Sequence, residues 1–296
     1  MHTNVKTALG IFLFFFFGFL ALSELVGNYI GYIKTLDDPI PLLTYFKPEL
    51  FALVSMPLLF ATGWRVWIGE SHWASVWFHV GIPLGILASS ISFVGVLANV
   101  NSLELARIIV GESLLAVLYG GAVSFIGYLN LNTVYIPIKR TNYSNITKFF
   151  VFLLNNLLIL GGMHYYAEVF AFIDGTTIYI FAAVVSAFLL INRNESKSIY
   201  YLVCEMMVIA SLASVIIALV SYNTYQGTTL VGPSILIGIL GPLFGSFVIL
   251  QCATFFPEKD LREINFGQTH WHLLEICSLW ILMVFAPMSL LEMFKG

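Results

Sequence analysis

Long apolar runs separated by short polar stretches follow one another from end to end of the chain. The densest part is Gly81 to Arg140, where two such runs flank a polar turn at Asn99 to Leu103. The first run is too long and too free of charge for a helix buried in a soluble core. The second, Ile108 to Ile136, is longer than a bilayer requires at about 1.5 Å per residue. Together they predict a transmembrane hairpin whose second helix projects beyond the lipid. Further runs at Leu50 to Trp67, Phe149 to Phe172, Thr177 to Asn192, Ile199 to Tyr222 and Thr229 to Phe256 predict five more spans, and Trp271 to Leu291 a last one. At the N-terminus, Ala21-Leu22-Ser23 imitates a leader cleavage site. The apolar stretch nevertheless continues to about Tyr32, so it reads as a retained first helix. The pattern therefore predicts an all-α polytopic membrane protein of nine spans.

Composition agrees: 59% of the 296 residues are hydrophobic and only 10% are charged, with mean hydropathy +0.91. A net charge of -3 on so few ionisable groups gives no reason to expect a nucleic-acid partner. Cys204, Cys252 and Cys277 lie singly in apolar runs without CxxC spacing, which argues against a disulfide framework or a zinc site. With the N-terminus cytoplasmic, Lys6, Arg65, Lys139, Arg140, Lys148, Arg193, Lys197, Lys259 and Arg262 fall on the inner side, leaving Lys34, Lys47, Arg107 and Lys295 outside. The bias predicts N-terminus in and C-terminus out. No loop is long enough for a soluble domain.

The sequence also lies over itself. An offset of 121 places Val110-Gly111-Glu112-Ser113 on Val231-Gly232-Pro233-Ser234 and Gly120 on Gly241; an offset of 122 places Ala88, Ser89 and Ser92 on Ala210, Ser211 and Ser214. Units with an even number of spans point the same way. The reading is a parallel duplication, residues 1–140 and 141–258, with a connector and a C-terminal helix at 259–296.

Pro83-Leu84-Gly85-Ile86-Leu87-Ala88-Ser89-Ser90-Ile91 resembles the third-helix signature of the MotA/TolQ/ExbB proton channel family, especially flagellar stator A subunits, with Ser89 where that family has Thr. Ser124-Phe125-Ile126-Gly127, followed ten residues after its glycine by Pro137, resembles the Thr-Leu-Tyr-Gly and Pro of the fourth stator helix. Phe172-Ile173-Asp174 is similar to the Phe-Ile-Asp that precedes the second. The family's large cytoplasmic domain is replaced here by the short connections Gly63 to Ser75 and Arg193 to Ser198. The resemblance implies helices that surround the single-pass helix of a partner carrying an intramembrane Asp, in a bacterial inner membrane. The residues facing the ion pathway or that helix would be Pro83, Ser89, Ser92, Glu112, Ser124, Ser211 and Ser214.

Read without the resemblance, each of these residues has a second account. Serines join membrane helices as readily as they line a path, and Glu112, one turn inside its span, is either an acidic mouth or an interfacial carboxylate held by Arg107. Glu24 and Glu205 lie deeper, as protonated acids hydrogen-bonded within the bundle or as partners for another helix. Glu275 fits an interface cluster with His270 and His272. His164 with Glu168, and His72 with His79, share helical faces but lack a third metal ligand. No nucleophile triad, phosphate loop or cofactor motif is present. The expected function is a non-enzymatic subunit of a proton- or sodium-driven stator-like complex. The alternatives are a non-conducting scaffold subunit of a larger membrane complex and a secondary transporter, for which only Gly238 to Gly245 suggests a broken helix.

Overall fold

The computed structural model describes residues 47–68, 73–99, 103–130, 145–191, 199–224 and 231–255. Among them it is helical throughout, with seven helices long and apolar enough to cross a membrane. They are α1 (Pro48–Trp67), α2 (Trp73–Asn99), α3 (Leu103–Asn130), α4 (Asn145–Tyr166), α5 (Gly175–Ile191), α6 (Ile199–Thr224) and α7 (Val231–Phe255). The chain is a multi-pass membrane protein. The spans expected up to Tyr32 and at Trp271 to Leu291 lie outside the described residues.

Boundaries moved where local chemistry outweighs hydropathy. The predicted run Phe149 to Phe172 is not one helix: α4 stops at Tyr166, and Val169–Phe172 forms a 3₁₀ turn. Tyr165 and Tyr166 bring α4 to a level suited to the membrane interface, and the turn carries Phe172 back into the core, where it is buried. Asp174 then starts α5. Its carboxylate accepts hydrogen bonds from the Thr177 backbone N–H at 2.7 Å and the Thr177 hydroxyl at 3.0 Å, as an N-cap does. The α2–α3 hairpin is longer at its first end than the apolar run suggests, because Trp73 to Val80 continues the helix upstream of Gly81.

The most extensive contacts join α2 to α3 and α6 to α7, and the next most extensive join α2 to α7. Four helices therefore form a row in the order α3, α2, α7, α6. Helix α1 crosses α2, α3 and α7; α4 packs on α1 and α2; α5 packs on α6 and α7. Side-chain pairs fix the directions. Trp77 Nε1–H donates to Thr62 Oγ1 at 3.1 Å, tying the last turns of α1 to the first turns of α2. Phe152 stacks near Phe255 while Asn155 meets Gln251, which makes α4 and α7 antiparallel. These directions fit a chain that crosses a bilayer alternately up and down. Burial falls off outward from the row's centre: every residue from Pro83 to Gly95 in α2 is buried, whereas α4 and α5 expose most of their apolar faces.

Candidate functional site

Small residues set the geometry of the row's centre. A Cβ built on Gly81 would lie 2.6 Å from the Gly120 carbonyl oxygen and 2.6 Å from Ser124 Oγ. One on Gly85 would lie 2.8 Å from the Ala116 carbonyl, and one on Gly127 2.7 Å from that of Ala74. These contacts are to backbone, so α2 and α3 touch along nearly their whole length, as small-residue seams allow. The α6–α7 hairpin uses the same device with serine on one side: Gly241 sits on Ser214 and Gly245 on Ser211 and Met207.

The hydroxyls proposed for an ion path or a guest helix are inside this packing. Ser92 accepts from Ser113 at 2.9 Å. Ser211 donates to the Met207 carbonyl at 2.8 Å, and Ser214 to that of Ala210 at 3.1 Å, each one turn back along α6. The Ser211 hydroxyl also approaches the Gly241 carbonyl across the hairpin at 3.2 Å. Pro83 and Ser89 are buried. None of these six residues, Ser124 included, lies on a surface open to another helix. For three of the serines the neighbour is a glycine, Gly81 against Ser124, Gly241 against Ser214 and Gly245 against Ser211, so the helices close over these hydroxyls. Ser89, Ser90 and Ser246 are fully buried with no hydrogen-bond partner for the oxygen. The side chains of Glu112 and Glu24 lie outside the described residues, as do Glu275 and Cys277. Glu205 is half-buried on α6.

Ser124 has a particular position. It accepts from the Ile82 backbone N–H at 3.0 Å and donates to the Phe78 carbonyl at 3.0 Å. Ile82 and Phe78 are an i, i−4 pair of α2, so the hydroxyl inserts where the helix ladder would close, immediately before Pro83, which has no N–H to give. Replacing Ser124 with alanine is expected to destabilise the chain by about 1 kcal/mol. Intrinsic fluorescence during denaturation in mixed micelles measures it, and an unchanged midpoint would mean the inserted hydroxyl carries no weight.

A second polar cluster, not singled out in the sequence, joins α4 to α7. Asn155 Nδ2 donates to Gln251 Oε1 at 3.2 Å, and Gln251 Nε2 donates to Asn156 Oδ1 at 3.3 Å. Asn156 Nδ2 in turn donates to the Phe152 carbonyl at 2.7 Å. Asn155 Oδ1 is buried without a partner. The signal was available: Asn155-Asn156 is the one amide pair inside Phe149 to Phe172, and amides deep in an apolar run need partners. Arg65 is also wholly buried, in the last turn of α1.

Gly120 packs on Gly81 and Gly85, whereas Gly241, which the offset of 121 sets over it, packs on Ser211 and Ser214. The break suggested at Gly238 to Gly245 is absent: α7 runs unbroken through Pro242. Among the described residues no three potential ligands gather for a metal; His164 and Glu168 are both exposed, and Cys204, buried, and Cys252, half-buried, are not joined in a disulfide. Comparison with protein-family models, with curated proteins and with solved structures finds no match to this chain.

Proposed function

We propose that this chain is an integral membrane subunit of a stator-like complex driven by a proton or sodium gradient, of the kind the MotA/TolQ/ExbB resemblance implies. One observation supports it above others: α2 and α3, which carry most of the resemblance, and α6 and α7, which the internal repeat sets over them, form one continuous row with α2 and α7 at its centre. Two like hairpins side by side are what a duplicated wall segment would supply. In this reading the chain has nine spans with its N-terminus cytoplasmic, in a bacterial inner membrane. Its serines hold the wall together, and a single-pass partner with an intramembrane Asp lies against the outer face of the row.

A second reading, a scaffold subunit that does not conduct, is favoured by the burial of Ser89, Ser92, Ser124, Ser211 and Ser214 against the chain's own helices. The two are separated by purifying the tagged full chain from its native membrane and reconstituting it with whatever single-pass protein accompanies it. Under the first, an imposed ion gradient dissipates and an Asp→Asn change in the partner stops it. Under the second, the complex assembles and the gradient holds. Recovery of an intact chain with no single-pass companion would overturn the stator reading.

A further inference from the structure

Between the first half of α1 and the second half of α4 lies an apolar groove of about 420 Å³. Leu53 and Pro57 of α1 and Leu157 and Gly161 of α4 form its walls, and Glu49 and Tyr165 stand at one end. Gly161, itself exposed, lines the groove without a side chain: a Cβ there would meet nothing within 4 Å, whereas one on its neighbour Gly162 would press on Leu53. A glycine pair weakens a helix interior, and here one of the two does not serve helix packing. It leaves space.

Depth identifies the occupant. From Glu49 to Pro57, α1 rises about 12 Å, close to one leaflet's half of a hydrocarbon core of about 30 Å. A guest transmembrane helix, or a second copy of this chain, would need a groove through the full thickness; one acyl chain needs half. The mouth lies at headgroup level, marked by Tyr165 and Tyr166 at the end of α4. Among the described residues of the lining Glu49 alone is charged, and it is exposed there. The lipid side is open, with Met56, Leu157 and Tyr165 each more than half exposed.

We infer that this groove holds one acyl chain of a phospholipid whose headgroup carries a primary amine, the ammonium pairing with the Glu49 carboxylate. The inference is independent of the stator reading, since it asks only that α1 and α4 span a bilayer. Lys47, just before α1, carries the opposite sign, so the headgroup is the decisive variable.

The test is native mass spectrometry of the full chain released from bilayers of equal phosphatidylethanolamine and phosphatidylglycerol with matched acyl chains. One phosphatidylethanolamine should be retained per chain, about threefold over phosphatidylglycerol, the size an exposed ion pair sustains. Glu49→Gln should bring the ratio to parity while a lipid is still retained. Gly161→Leu, which puts a side chain into the groove, should abolish retention of both lipids. Equal or greater retention of phosphatidylglycerol by the natural chain overturns the headgroup assignment, and a Gly161→Leu chain that keeps its lipid overturns the site. Should Gly161→Leu fail to fold, the headgroup ratio and its response to Glu49→Gln still decide the matter.

Discussion

Replacing Gly120 with alanine is expected to destabilise the folded chain by about 3 kcal/mol, while the same change at the adjacent Gly121 leaves stability within about 1 kcal/mol of the natural chain. The two positions share composition, depth and helix, and differ only in what they face. A Cβ on Gly120 would press on the Gly81 carbonyl and lie 2.7 Å from Gly85 Cα and 2.8 Å from Gly85 N. These are backbone atoms of a buried helix, so no side chain can swing aside and α2 must separate from α3. A Cβ on Gly121 would meet nothing within 4 Å and would improve helix propensity. Unfolding midpoints of the two variants in mixed micelles, read by far-UV circular dichroism, give the comparison. Equal effects would mean that the backbone-to-backbone seam is not what holds the hairpin.

Gln251→Leu is expected to destabilise by about 2 kcal/mol, because it strands two amides at once. Asn155 Nδ2 loses its acceptor and Asn156 Oδ1 its donor. Each stranded buried group costs about 1–3 kcal/mol in water-soluble proteins, and somewhat less in a membrane, where the unfolded reference also finds partners. Asn155→Leu in the Gln251→Leu background should then be milder than in the natural chain, with a coupling energy of about 1 kcal/mol. Full additivity of the two changes would show that α4 and α7 are not joined through these side chains.

Hydropathy made the helices of the described region legible, since a run of apolar residues with no charge has few other ways to satisfy its backbone. It could not show where a helix ends in a polar bond, as at Asp174, nor where it ends because an aromatic pair has reached the interface, as at Tyr166. The serines were visible as a pattern, but their direction was not. Serine on a membrane helix looks the same in sequence whether it faces a path, a guest or its own hairpin, and only the glycines opposite, Gly81, Gly241 and Gly245, decide. The duplication is a match of letters, and the two hairpins cross at different places along it, Gly120 on Gly81 and Gly85 but Gly241 on Ser211 and Ser214.

The enclosure of α2 on all sides has a consequence for how the protein is made. One of its flanks is covered by α7, the last of the described helices to leave the ribosome. At about 5–20 residues per second, the interval between the emergence of these two segments is on the order of ten seconds. During that time the seat of α7 on α2 is vacant and faces acyl tails or the insertion machinery. A chain stalled before Val231 would present an unfinished half to the bilayer, and quality-control proteases that survey membrane helices would meet it there first.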